Sequence, residues 1–260
     1  MNKLSKKIIT ENSSDKTEEM RLNKFLADAG ICSRREADRM IESGKVKVDG
    51  ITAVMGQRVM PGQNVTVDGK EVSKDDRLVI IAFNKPAGIE CTTSDRTAGN
   101  IIDYIKYPVR IFPVGRLDRN STGLILLTNA GELSDRILRS SNHHEKEYEV
   151  TVNRPLTREF IKNMQDGVEI EQEDGRYRVM TRPCRLEATG KCSFNIVLTQ
   201  GLNRQIRRMC SELGYKVISL KRIRIININL GNLSEGHYRN LTEAEVRKLM
   251  KELNKAEGES

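Results

Sequence analysis

Residues 115–129, GRLDRNSTGLILLTN, set one carboxylate, Asp118, between Arg116 and Arg119, then a string of turn formers and an apolar run. Three uses fit such an aspartate: a turn residue, an ion-pair partner, or a reactive group. Aspartates are anionic at neutral pH without help, so this one can serve as nucleophile or base unaided. No second acid stands at a spacing that suggests a carboxylate dyad, which leaves a glycosidase-like acid/base pair unsupported.

A second stretch, QGLNRQIRRMCSELGYKVISLKRIR (200–224), holds seven basic residues against one acid, Glu212. On a helix, Ile206, Met209, Cys210 and Leu213 recur at spacings of three and four and form a buried stripe. Arg204, Arg207 and Arg208 fall on another stripe. A plain solvated basic face is one reading. The shortage of acids favours another, because adjacent guanidiniums repel unless phosphates or a buried carboxylate lie nearby. Nearer the N-terminus, Arg21, Lys24, Arg34, Arg35, Arg39, Lys45 and Lys47 are interspersed with acids. Arg34-Arg35 opens a helix, where the dipole disfavours cations, and phosphates would accept that mismatch.

Tyr148 in KEYEV reads by strand alternation as core or sheet surface. In a chain with 4% aromatics and no Trp, it is also a candidate to stack on a nucleic-acid base, with Lys146 beside it. His143-His144 lies in a polar loop without acidic or cysteine partners. Cys32, Cys91, Cys184, Cys192 and Cys210 form no C-x-x-C pair and read as reduced, mostly buried thiols; no metal site is expected. No G-x-x-x-x-G-K phosphate loop occurs, which argues against nucleotide hydrolysis.

The elements that must position these residues follow from patterning. Residues 1–18 are polar and read as a mobile arm. Within 19–77, MRLNKFLADAG gives a short helix stopped by Gly30, and CSRREADRMIESG a second, with Ser33 and Glu36 spaced as a capping box. KVKVDG is a short strand entering a turn at Asp49-Gly50. From 78 to 250 the texture changes. RLVIIAFNKPAG, GLILLTN, KEYEVTV, SFNIVLTQG and KVISLKRIRIININL read as strands, and AGELSDRIL, LTREFIKNMQDG and NRQIRRMCSELG as helices. Thr242 and Glu245 signal a last helix, and 251–260 reads as a flexible tail. Strands outnumber helices without regular alternation, so the fold class is α+β: a small N-terminal α/β module, then a domain on a largely antiparallel mixed sheet with flanking helices.

The net charge of +8 and pI near 9.2 suit a polyanionic partner, though a generic basic protein has the same balance. No run approaches a membrane span and the N-terminus has no apolar signal core. The expectation is therefore a cytoplasmic protein, neither secreted nor anchored.

Taken in order and spacing, GRLDRNSTGLILLTNAGEL, HEKEYEVTV and GLNRQIRRMC…LKRIRI resemble the three motifs of the bacterial pseudouridine synthases that act on ribosomal RNA, in the group whose prototype works on the small subunit. MRLNKFLADAGICSRREADRMIESGKVKVDG resembles the RNA-binding domain named for ribosomal protein S-four. YPVRIFPVGRLD and NHHEKEYEVTV look most like the F type, which acts on large-subunit RNA and admits a transfer RNA as a second substrate.

The resemblance implies isomerisation of uridine to pseudouridine without metal or organic cofactor, by a monomer whose partner is RNA and not a membrane. It places the essential aspartate on Asp118, as attacker of the anomeric carbon or as base toward the sugar. Tyr148 matches the tyrosine that stacks on uracil, and Arg207 the basic residue that pairs with the aspartate. Arg116 and Leu117 share the aspartate's loop, where the family arginine helps fill the space left by the extruded nucleotide. Arg204, Arg208, Lys221 and Arg222 remain for RNA phosphates, with Arg21, Lys24, Arg34, Arg35 and Lys45 in the module. The competing class is a non-catalytic RNA-binding or ribosome-assembly factor that kept the fold. A metal nuclease is disfavoured by the lack of clustered acids.

Overall fold

A computed structural model of the chain describes residues 4–10, 19–73, 77–93, 99–139, 143–172, 175 and 177–258. The chain divides into two units. The first is Met1–Val79 with Tyr107–Phe112 and Thr128–Leu133, and the second is the remainder.

In the first unit, helices Leu22–Asp28 and Arg34–Glu42 bury Leu22, Leu26, Ala37 and Ile41 in one core with Val46, Val48 and Val65 of a four-stranded sheet. The second helix starts where Ser33 Oγ accepts the amide of Glu36 at 3.1 Å; the Glu36 carboxylate turns to Arg39 and does not complete a reciprocal box. The sheet's tight turn needs Asp49 (φ 50°) and Gly50 (φ 81°) both left-handed, a primed hairpin joining Val46–Val48 to Ile51–Thr52. The Asp49 carboxylate steadies it by accepting from Asn64 N at 2.9 Å and Gln63 Nε2 at 2.6 Å.

Two expectations about the chain ends are corrected. Lys7–Thr10 is a helical turn with Ile9 only 6% exposed, and Leu78 N donates to Leu4 O at 2.7 Å. The one large apolar pair, Ile8-Ile9, outweighs the polar surroundings that read as a mobile arm; residues 1–3 and 11–18 lie outside the described residues. At the other end, Glu243–Gly258 is one helix, and Leu253 is fully buried, so the helix continues well into the expected tail. Its start is a full capping box: Glu245 N donates to Thr242 Oγ1 at 3.2 Å and Thr242 N to Glu245 Oε2 at 2.8 Å.

The second unit is built on a mixed sheet that, among the described residues, has nine strands. Along its main path they run Arg185–Gly190, Ser193–Leu198, Lys146–Val152, Val217–Ile225, Thr122–Thr128, Ile80–Lys85 and Tyr238–Asn240. Val217–Ile225 runs parallel to Thr122–Thr128, and antiparallel to Lys146–Val152. Ser193–Leu198 alternates, burying Phe194, Ile196 and Leu198. These side chains share a core with Val150 and Val152, with Phe160 and Met164 of helix Arg158–Asp166, and with Ile206, Met209 and Cys210 of helix Gln205–Glu212. Ile80–Lys85 is buried at every position, and its first four residues, Ile80–Phe83, carry the continuous apolar signature of a strand covered on both faces.

Candidate active site

Asp118 sits in a turn closed by Ser121 N donating to Asp118 O at 3.0 Å, immediately before the strand that begins at Thr122. Turn and strand are thus both real, and the carboxylate stands at the strand's mouth. Two guanidiniums reach it. Arg204 Nη1 lies 3.4 Å and Arg207 Nε 3.5 Å from Asp118 Oδ2. The Asp118 side chain is 27% exposed, Arg204 half exposed and Arg207 only 16% exposed, so the Arg207 contact is the better shielded of the two. Arg207 is itself anchored by Ser121 Oγ (3.2 Å) and the carbonyls of Asn120 and Val217. Its Nε faces the carboxylate as an ion pair without hydrogen-bond geometry.

A cavity of about 630 Å³ opens beside this turn. Its walls include Arg116, Leu117 and Asp118 from the turn, Arg204 ahead of the helix, and Lys146 and Tyr148 from the neighbouring strand. Tyr148 packs partly against the core while forming cavity wall, which leaves it apolar backing and one accessible side. Arg116 is exposed, whereas Leu117 is buried and its amide donates to Cys91 Sγ at 3.4 Å.

Packing treats the residues expected to meet phosphates differently. The helix begins at Gln205, and Arg204 precedes it with φ 49°, so Arg204, Arg207 and Arg208 do not form one presented stripe. Arg208 is occupied: Nη1 donates to Glu171 O at 2.9 Å and Nη2 to Asn203 Oδ1 at 3.1 Å. Arg222 is only 4% exposed, with Nε donating to Leu124 O at 2.7 Å and Nη2 buried without an acceptor. A buried unpaired donor costs about 1–3 kcal/mol, more when charged. Lys221, its neighbour on the opposite face, does not line the cavity. Arg224 is spent on Glu147 (2.8 Å) and Glu145 (3.0 Å). In the first unit, Arg21, Lys24 and Arg34 share a smaller concavity with Arg58, while Arg35 and Lys45 are exposed outside it.

Three contributors escaped the sequence reading. Lys85, fully buried at the end of its strand, donates Nζ to the carbonyls of Pro86 (2.8 Å), Ile89 (2.9 Å) and Arg119 (3.2 Å). It therefore ties the KPAG turn to the residue after Asp118. Burial pushes its pKa down, and the carbonyl cage is what keeps an ammonium tolerable there. Gly123 (φ 97°) lies opposite Arg222 in the parallel pair, and a Cβ would fall 2.3 Å from the Arg222 carbonyl. His144, read as loop, is loop but buried and lines the cavity. A lysine in a KP dipeptide and a glycine after turn formers were the available signals.

Comparison with known proteins shows the family. A family model described as RNA pseudouridylate synthase matches residues 79–212, and one described as S4 domain matches residues 20–63. Over 242 residues the chain is 47% identical to the dual-specificity RNA pseudouridine synthase RluF of Escherichia coli (strain K12), spanning 92% of this chain and 81% of the relative. It is 39% identical over 241 residues to an uncharacterized RNA pseudouridine synthase of Mycobacterium leprae, spanning 90% and 93%. A pseudouridylate synthase crystal structure superposes with a TM-score of 0.65 at 30% identity, covering 88% of this chain and 99% of the other. The chain belongs to the RNA pseudouridine synthase family and carries an S4 domain ahead of the catalytic fold, an enzyme that isomerises uridine to pseudouridine in RNA.

Proposed function

We propose that Asp118 is the reacting carboxylate, Tyr148 the surface on which the target uracil stacks, and Arg207 the cation that orients Asp118 from its shielded side. The observation that carries this is the meeting of motifs nearly ninety residues apart: Arg207 Nε 3.5 Å from Asp118 Oδ2 at the edge of one cavity. A target uridine must leave its stack to enter, at a cost of a few kcal/mol, which stacking on Tyr148 and contacts to Arg116 and Arg204 offset. Leu117 lines the cavity as apolar wall, and Arg116 stands free to take the extruded nucleotide's place. Arg21, Lys24, Arg34, Arg35 and Lys45 supply phosphate contacts in the S4 domain.

The substrate is ribosomal RNA of the large subunit, with a transfer RNA as a second target, acted on by a monomer in the cytoplasm. The F-type motifs support the first target, and the dual-specificity name of the RluF relatives supports two RNA substrates. Mapping pseudouridine across total RNA from cells with and without the gene tests this. Loss of one large-subunit site together with a transfer RNA site is expected. Loss confined to small-subunit RNA, or no loss, contradicts the target assignment.

A further inference from the structure

Two cations of the cavity have no role in holding Asp118. Lys146 and Arg222 both line it. In the antiparallel register Arg222 stands opposite Tyr148, and Lys146 lies two residues before Tyr148 on the same strand, so all three share one sheet face. Arg222 spends Nε on the Leu124 carbonyl and keeps Nη2 buried without an acceptor. The Lys146 ammonium donates at long range, to His144 O at 3.4 Å. A buried donor without an acceptor on Arg222 and a half-buried ammonium on Lys146 with one long bond, both beside the ring expected to hold the base, suit a polar group that arrives with substrate.

The chemistry specifies that group. If Asp118 attacks, its oxygen bonds to C1′ as the C1′–N1 bond breaks. If Asp118 is a base, it takes the proton from C2′ and a C1′–C2′ double bond forms as C1′–N1 breaks. In both routes the electron pair of C1′–N1 stays on the ring, which departs as an anion with charge spread over N1, O2 and O4. After rotation C5 bonds to C1′, the carboxylate is expelled or the C2′ proton returned, C5 loses its proton and N1 gains one. Atoms balance with no co-reactant. The step that needs help is accumulation of charge on the detached ring.

We propose that Lys146 and Arg222 donate to the carbonyl oxygens of the target uracil and stabilise its anion as it separates from ribose. The proposal rests on Asp118 and Tyr148 having the roles given above, and makes Lys146 and Arg222 catalytic residues that touch the base. Desolvated cations pointed at developing charge do more than they would in water, because the low-dielectric wall screens them little.

Fluorine at C5 of uracil withdraws charge and stabilises the same anion, so 5-fluorouridine reports on leaving-group assistance. The test is a single-turnover measurement of how fast the unmodified nucleotide disappears from target RNA carrying either uridine or 5-fluorouridine. Lys146→Met is expected to slow uridine RNA about 100-fold and 5-fluorouridine RNA only about tenfold. RNA affinity should stay near wild type, and Lys146→Arg should restore most of the rate. An equal loss on both RNAs overturns the proposal, and an equal loss with weakened affinity assigns Lys146 to a phosphate instead. Asp118→Asn is the control: inactive on both RNAs, it leaves the underlying reading intact whatever Lys146 does. Activity in that variant removes the reading itself.

Discussion

In the S4 domain, Arg21, Lys24 and Arg34 line an open concavity and Arg35 and Lys45 stand exposed. In the catalytic unit, Arg207, Arg208 and Arg222 are each fixed by acceptors from the protein itself. The same residue type is thus deployed in two ways. Exposed cations on small elements act through the summed field and counterion release, with little demand on geometry. Enclosed cations have fixed positions and weak screening, and act on one atom at a time. The first arrangement suits affinity for a polyanion, the second suits chemistry.

Breaking the enclosed set has the larger consequences. Of the variants that leave Asp118 in place, Arg207→Ala has the largest expected effect: a loss of about 10²–10³-fold in single-turnover rate, with RNA affinity little changed. A similar loss in affinity alone would move Arg207 into the first category. Lys85→Met should lower stability by about 1–3 kcal/mol, since the Pro86 and Ile89 carbonyls lose the Lys85 donor and the Arg119 carbonyl keeps only the Gly88 amide. Chemical denaturation checks this, and an unchanged midpoint would mean that the cage adds nothing to the fold.

Lys146 sharpens the comparison through pH. Burial, then the Arg222 charge, pushes its pKa down to about 8. The other charged or titratable groups of the cavity are Asp118, Arg116 and the Arg119–Glu90 pair, Arg204 ahead of the helix, Cys91, Tyr148, and Arg139 and His144 before the strand. If the ammonium is the working form, activity is present below this value and falls as pH rises through about 8; in Lys146→Arg that limb should disappear. Stability moves the other way. Between about 8 and the ordinary lysine value the unfolded chain holds a proton at Lys146 that the folded chain has released, so the Lys146 contribution to stability rises with pH in that window, opposite in sign to the buried Cys184 and Cys210 thiols, whose pKa values burial raises. The stability difference between wild type and Lys146→Met, followed from about pH 8 to 10, isolates this contribution, and wild type should gain on the variant as pH rises. Wild type losing ground to the variant, or activity that holds level above about pH 8, would contradict the assignment.

The smallest effect belongs to the S4 domain. Arg34→Ala with Arg35→Ala should weaken RNA binding and reduce the slope of log affinity against log salt by about one to two, with catalysis of bound RNA preserved. A slope equal to wild type would take both arginines out of the interface.

Local marks read Asp118 first as a turn residue and Tyr148 as core or sheet surface; the ordered family motifs assigned both to the site, and the charge surplus of 200–224 called for an acid from elsewhere. The sequence did not show how every arginine is spent. Arg207, Arg208 and Arg222 look alike in sequence; the family resemblance singles out Arg207 for Asp118, and only packing gives Arg208 to Glu171 and Asn203 and Arg222 to the Leu124 carbonyl. Lys85 was hidden by its apolar strand, since nothing local announces the three carbonyls of its cage. Arg185–Gly190 left no alternation to read, because this edge strand buries Leu186 and exposes the rest. The last helix runs past residue 250 because Leu253 is buried, a tertiary contact that outweighs the polar composition around it.

The claim at the centre is that one carboxylate, held by Arg207 at the edge of the cavity, performs the reaction while other residues bind the RNA. Purified Asp118→Asn, measured for RNA affinity and single-turnover pseudouridine formation on the same target RNA, tests it most directly. The predicted result is affinity within about twofold of wild type and a rate lower by on the order of 10⁴-fold or more. Pseudouridine formation at a rate near wild type would contradict it.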